Sequence, residues 1–565
     1  MLLSNLNLLA TATGGVAKLR ELILTLAVQG KLVPQDPKDE PASELLKKIR
    51  AEKDRLIAEG KIKRDKPLAE IVEEERPFEL PLGWKWVRAI EICTLITDGD
   101  HLPPPKADSG IPFLVIGDVR DGFVDLQRVS RCVPTDYFDK LDWGKKPLLG
   151  DILYTTVGSF GIPVPIAMQQ DFCFQRHIAL FRPAIVDLQD CLALIFRSAL
   201  IYQQAEAGAT GIAQKTVPLS ALRNLLIPLP PLAEQSRIVT RVEELMRLCD
   251  ALEAKVQLEA TQHAQLLSTL LGTLSESETP EELADNWQRV ATHFDLLLDR
   301  PEAVDALEQT ILQLAVRGLL VPQDPQDEPA CELLKKIRVE KDKLIAEGKI
   351  KRDKPLPSIG EDERLFPLPK GWVWVRLREL VTHLGDGLHG TPNYSPSGDY
   401  FFVNGNNLGQ GVVTIKPETK RVDRSEYEKY RKPLDATSVL LSINGTLGRV
   451  AFYQDEMIVL GKSACYFNVT AGLPKVFSKL LLECPDFMTY AEKSATGTTI
   501  KNLGLKAIGD WPIALPPLAE QSLIVTRVAH LRRLCNDLRQ RLTAASERQS
   551  QLAQSLVEMQ STTTV

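Results

Sequence analysis

Beyond Pro231, apolar side chains recur at Ile238, Val242, Leu245, Cys249, Leu252 and Val256, in alternating steps of four and three with charged residues between them. The same rhythm returns at Ile524, Val528, Leu531, Cys535, Leu538 and Leu542. Apolar a and d positions of a heptad predict a coiled-coil seam. A helix over 233–271 would be about 58 Å long at ~1.5 Å per residue. Two such seams in one chain are expected to pack on each other, antiparallel. A different stripe, Leu45, Leu46, Ile49, Leu56 and Ile57, marks an amphipathic helix in a lead-in region at about 15–66. Between these helices the pattern shortens. IPFLVIG (111–117), DILYTTVG (151–158), FFVNGNN (401–407) and SVLLSING (438–445) are β-branched or aromatic runs closed by glycine or polar turns, and they predict strands.

These elements occur twice. Residues 31–68 return at 319–356 with changes only at positions 31, 38, 43, 51 and 55. The offset of 288 also carries Gly83-Trp84-x-Trp86 onto Gly371-Trp372-x-Trp374, and Asp98-Gly99-x-His101-x-x-Pro104 onto Asp386-Gly387-x-His389-x-x-Pro392. It then drifts to 287 at Gly158-Ser159-Phe160-Gly161 and Gly445-Thr446-Leu447-Gly448. It reaches 286 at Ala209-Thr210-Gly211-x-x-x-Lys215 and Ala495-Thr496-Gly497-x-x-x-Lys501. IPLPPLAEQSRIV (227–239) and IALPPLAEQSLIV (513–525) close the match. The prolines of this phrase end a strand by withholding backbone donors, and Glu234 sits where a helix N-terminus favours an anion, so the phrase predicts a rigid strand-to-helix hinge. The ends of each half are nearly identical and the middles diverge.

Composition narrows the chemistry. The 565 residues exceed one hydrophobic core. No apolar run is long enough to span a bilayer, and the first residues lack the basic opening of a secretory signal, so a cytoplasmic location is expected. The nine cysteines contain no CxxC pair, and the seven histidines show no metal-ligand spacing. Gly461-Lys462-Ser463 ends like a phosphate-binding loop, but its first glycine position holds Glu456. Glu59-Gly60-Lys61 and Glu347-Gly348-Lys349 close charged helices rather than following an aspartate strand. No catalytic motif remains. The net charge of −6 does not advertise nucleic-acid binding. Block 87–226 holds 13 basic and 15 acidic residues, and block 375–512 holds 16 and 14.

Two variable blocks, each ending in A-T-G-x-x-x-K and then I-x-L-P-P-L-A-E-Q-S-x-I-V, with long helices between and after them, resemble the specificity subunit of type I restriction–modification systems. The resemblance covers nearly the whole chain. Gly150-Asp151-Ile152-Leu153 also fits the family's strand-turn pattern, whereas the second copy reads Ala436-Thr437-Ser438-Val439. What this implies is an α+β chain with pseudo-two-fold symmetry. A conserved helical region (1–86) precedes target recognition domain 1 (87–231). A central conserved region (232–374), target recognition domain 2 (375–517) and a C-terminal helix (518–565) follow, the long helices forming an intramolecular antiparallel coiled coil. Each recognition domain would read half of a bipartite asymmetric sequence in double-stranded DNA, and the helices would set the spacer. That ruler is longer than one DNA turn of about 34–36 Å. Two methyltransferase subunits using S-adenosylmethionine would dock on the repeated helices, and restriction subunits using ATP and Mg would join through them. The chain itself would bind no cofactor and catalyse nothing.

On that reading, residues common to both domains cannot tell two half-sites apart. Thr210, Gly211, Lys215, Thr496, Gly497 and Lys501 are therefore expected to contact the DNA backbone or to serve the scaffold. The repeated His101 and His389 are open to the same two roles. Base-reading candidates are polar and differ between copies: Arg120, Arg128, Arg131, Gln175 and Arg176 in the first domain, and Asn393, Tyr394, Asn404, Asn406, Asn407, Arg421 and Arg424 in the second. Asparagine and arginine suit bidentate contact with adenine and guanine. The weak charge of both blocks predicts weak DNA binding by the chain alone. The residues by themselves leave two alternatives: a non-catalytic coiled-coil adaptor for proteins, and a fused methyltransferase or nuclease, against which the absent cofactor and catalytic motifs count.

Overall fold

A computed structural model describes residues 6–562 apart from 100, 102, 120, 121, 168, 212 and 213. The chain divides into two compact units, residues 1–259 with 546–565, and residues 260–545. Among the described residues no helix is long and apolar enough to cross a membrane.

In the first unit the predicted runs become strands of two sheets. Cys93–Asp98, Ile178–Pro183, Ile152–Thr155 and Pro163–Pro165 form an antiparallel sheet in that order. Ile178–Pro183 is buried along its whole length, as its near-continuous apolar sequence requires. A second sheet places Ile111–Leu114 between Cys132–Val133, antiparallel, and Cys173–Phe174, parallel. A third pairing joins Lys85–Arg88 to Leu226–Leu229, so the strand before the proline phrase is tied to the strand after the Gly-Trp-x-Trp motif.

The second unit repeats this order. Val381–Asp386, Ala464–Val469, Ser438–Ser442 and Val450–Phe452 make the four-stranded sheet. Tyr400–Val403 lies between Arg421–Val422 and Ile458–Leu460, and Val373–Arg376 pairs with Pro512–Leu515. The Gly461-Lys462-Ser463 lookalike is the bend between Ile458–Leu460 and Ala464–Val469.

The departure of Ala436-Thr437-Ser438-Val439 from Gly-Asp-Ile-Leu has a structural counterpart. In the first unit buried Asp151 accepts two hydrogen bonds from buried Arg182, Nε at 2.8 Å and Nη2 at 2.7 Å. The Trp143 ring lies 4.2 Å from the guanidinium carbon. Burial pushes the Asp151 carboxyl up against the pull of Arg182. In the second unit the same strand-pair position holds Ser438, whose hydroxyl donates to Asn468 Oδ1 at 2.9 Å. A neutral pair replaces an ion pair, and both members changed together.

The repeated phrase is a keystone. After its prolines, helices of 45 residues run from Leu232 to Glu276 and from Leu518 to Thr562, the first of them longer than the 233–271 that its sequence pattern indicated. Glu234 and Glu520 are buried in the first turn. Glu234 accepts from Trp84 Nε1 at 3.0 Å and Gln35 Nε2 at 3.2 Å. Glu520 accepts from Trp372 Nε1 at 2.8 Å and Gln323 Nε2 at 3.1 Å. Burial raises both carboxyls above the usual carboxylate range. One carboxylate thus ties lead-in, strand and long helix together in each half.

Along the seams, Ile238, Val242 and Cys249 share a core with Val16, Ile23, Ala27 and Val28 of the lead-in helix Gly15–Val28. Ile524, Val528 and Cys535 share one with Leu307, Ile311, Leu312 and Ala315 of the helix Pro301–Val316. Leu245, Leu252, Leu531, Leu538 and Leu542 pack beside these cores half-buried, and Val256 is half-buried too. The buried seam positions therefore share their core with the lead-in helix of the same half. The heptads did not name this partner, because a seam records which face is apolar and not what covers it.

The far ends of the long helices serve other cores. Leu267, Leu271 and Leu274 pack in the second unit with Val304, Leu307 and Ile311, and Ala553 packs in the first with Leu9 and Ala12. At equivalent places beside the seams the ion pairs reverse sign. In the first unit Arg20 on the lead-in helix meets Asp250 at 2.7 Å and Glu253 at 3.0 Å. In the second, Glu308 on the lead-in helix meets Arg539 at 2.9 Å and Arg532 at 3.0 Å.

Candidate nucleic-acid interface

In each unit the central strand, Ile152–Thr155 or Ser438–Ser442, runs into the glycine turn 158–161 or 445–448. Thr155 Oγ1 donates to Ser159 O at 2.9 Å, and Ser442 Oγ donates to Thr446 O at 2.7 Å. Three loops are sewn to this strand end and its neighbour by backbone hydrogen bonds. Thr156 N donates to His177 O at 3.0 Å, Gly158 N to Lys215 O at 3.2 Å, and Gly99 N to Ile178 O at 3.3 Å. The second unit repeats every stitch: Ile443 N to Ser463 O at 3.0 Å, Gly445 N to Lys501 O at 3.1 Å, and Gly387 N to Ala464 O at 3.0 Å.

The shared A-T-G-x-x-x-K motif is a tight hairpin within this cluster. Thr210 and Thr216 exchange backbone hydrogen bonds at 2.8 Å, and Thr496 and Asn502 do so at 2.9 and 2.8 Å. Gly211 and Gly497 hold φ of +100° and +94°, and a Cβ there would lie 2.5 Å and 2.4 Å from a carbonyl oxygen across the turn. Glycine is therefore required for the hairpin itself. Lys215 and Lys501 extend from it, exposed, toward Glu206 at 2.7 Å and Glu492 at 3.7 Å. Glu206 raises the Lys215 ammonium above its ordinary range. His101 and His389 pair with Asp98, at 3.0 Å, and Asp386, and remain largely exposed.

The base-reading candidates divide. Arg128 is exposed beside Asp125 at 3.2 Å, and Arg131 is exposed where the strand Cys132–Val133 begins. Gln175 Nε2 and His177 Nδ1 lie 2.6 Å apart, and exposed Arg176 reaches His177 Nε2 at 3.3 Å. Burial and Arg176 together lower the His177 imidazole. Arg120 lies outside the described residues.

In the second unit Asn393, Tyr394, Arg421 and Arg424 gather at one edge. Asn393 N donates to Glu426 at 2.8 Å, and Tyr394 bridges Val422 and lies edge-on to Phe402. Arg421 lies over the Phe401 ring at 5.0 Å, and Arg424 opens the helix Arg424–Tyr430. Asn406 is exposed and Asn404 is half-buried against Ser463. Asn407 is a correction: it is buried, with Nδ2 donating to Thr414 O at 3.0 Å and Thr419 Oγ1 at 3.2 Å. Its Oδ1 accepts from Asn404 N at 3.1 Å. An asparagine whose donors close a turn has none left for a base edge. Sequence reasoning also missed Lys462, which is exposed and occupies the place of Arg176 once the offset is followed to 286.

Compared with known proteins, residues 81–262 and 369–548 match the type I restriction modification DNA specificity domain. The chain belongs to that family. The specificity subunit of the EcoEI type I restriction enzyme from Escherichia coli is 36% identical over 96% of this chain and 93% of its own length. That of the EcoAI enzyme, also from Escherichia coli, is 37% identical over 96% of this chain and 93% of its own length. The crystal structure of an HsdS subunit from Thermoanaerobacter tengcongensis aligns with 86% of this chain and 98% of that one, at 19% identity and a TM-score of 0.37. The protein is the specificity subunit of a type I restriction–modification system, its non-catalytic component, with two DNA recognition domains in tandem.

Proposed function

We propose that each recognition domain of this subunit reads one half of a split, asymmetric DNA target. In this reading the long helices hold the two readers at a set spacing, two methyltransferase subunits dock on the repeated helices, and restriction subunits join through them. S-adenosylmethionine would be held by the methyltransferases, and ATP and Mg by the restriction subunits. One observation carries the reading: two scaffolds with the same strand order and the same stitched loops carry different exposed polar side chains, while the lead-ins around them are nearly identical. Equal outer surfaces suit equal partners, and unequal loops suit unequal base sequences.

The test is a genome-wide map of N6-methyladenine in cells expressing the chain with its methyltransferase. One split motif that vanishes when the chain is deleted is the expected result. A methylation pattern indifferent to deletion would sink the reading and leave a protein-binding adaptor.

A further inference from the structure

Two cations recur at equivalent places in domains whose base-reading candidates otherwise diverge. Arg176 and Lys462 stand at the same loop position, and Lys215 and Lys501 at the same hairpin position, both at an offset of 286. Their two loops are joined in each unit to one strand end, by Thr156 N to His177 O and Gly158 N to Lys215 O, or by Ile443 N to Ser463 O and Gly445 N to Lys501 O. All four side chains are exposed. The third stitched loop carries His101 or His389, whose imidazole is committed to an aspartate.

A base reader must differ where the half-sites differ, whereas a phosphate is the same in both. A cation kept at a fixed place by an otherwise divergent domain therefore fits a phosphate. Arginine in one copy and lysine in the other fits this as well, since a base edge distinguishes the two geometries and a point charge does not. The lysines each face one carboxylate, Glu206 or Glu492. Exposed pairs of this kind are weak, so a phosphate can displace the carboxylate.

We infer that Arg176 with Lys215, and Lys462 with Lys501, form one repeated anchor for the DNA backbone. It sets the register of each domain on the duplex and carries no sequence information. Arg176 thereby moves from the base-reading set to the backbone set. This rests on the reading that both domains bind DNA.

The test uses the full chain assembled with its methyltransferase subunits, a short duplex bearing the mapped motif, and a scrambled duplex of the same composition. Binding is followed by fluorescence anisotropy over a range of NaCl concentrations. R176A/K215A and K462A/K501A are each expected to weaken binding to both duplexes by the same factor. Each should make the slope of log K against log salt shallower by about 2, roughly one per lost phosphate contact. The methylated motif should stay the same, and R176K should retain the wild-type slope. A loss confined to the motif duplex, a changed base in the motif, or an unchanged slope would overturn the anchor while leaving DNA reading intact. A wild-type assembly that binds neither duplex would overturn the DNA reading itself and the anchor with it. Thermal melting of each variant at the wild-type temperature separates lost binding from lost folding.

Discussion

Asp151 and Ser438 stand at equivalent places, where the central strands of the two units begin, yet one is half of a buried ion pair and the other of a neutral hydrogen bond. Removing one partner of a buried pair strands a charge and costs about 3–5 kcal/mol, whereas removing both leaves mainly a packing defect. D151S alone is therefore expected to destabilise the chain by that amount in chemical denaturation. D151S/R182N, which copies the second unit, should be clearly more stable than D151S. A double variant no better than the single one would show that the guanidinium's remaining bonds, to Lys146 O at 2.8 Å and over Trp143, matter more than its charge partner. At this scale the sequence was only partly legible. It showed that Gly-Asp-Ile-Leu had changed, but not that Arg182 had changed with it, since the two lie on different strands. Asn407 misled for a related reason. Its chemistry suits an adenine, and only the fold reveals that a turn consumes its donors.

Among the elements, the two lead-in helices and the two long helices keep the same apolar pattern while their ion pairs have exchanged sign. Arg20 would face Arg539 if the first lead-in met the second long helix, and Glu308 would face Glu253 in the opposite error. Like charges at such distances repel by about as much as the matched pairs attract. R20E, set against Asp250 and Glu253, is expected to lower stability by about 1 kcal/mol, given the exposure of the site. R20E/D250N/E253R, which reproduces the Glu308–Arg539 pair of the second unit, should recover it, as read from denaturation midpoints. If the triple variant melted with the single one, the exchange of sign would have no part in pairing. The long helices and several of the strands were legible because periodicity is local. The seam's partner was not, because covering a stripe is a tertiary choice. The keystone lay between: the repeated Glu-Gln and Gly-Trp motifs were visible, but their meeting through Trp84 and Glu234 was not.

For the whole molecule, duplication was the most legible property and the most consequential. It set the domain count, the order of elements and the expectation of two readers. Exchanging residues 87–226 for the corresponding block of a relative with a different target should alter one half of the methylated motif and leave the other half untouched. Alteration of both halves would mean that the domains do not read separately.

The distribution of the long helices over the two units bears on how the chain is made. Leu9 and Ala12 share their small buried core with Ala553, which leaves the ribosome 544 residues after Leu9. At roughly 5–20 residues per second, that apolar cluster waits about half a minute to two minutes for its last member. Leu9 and Ala12 are thus fully covered only long after they are made, and during that interval they are open to chaperones or to another nascent chain.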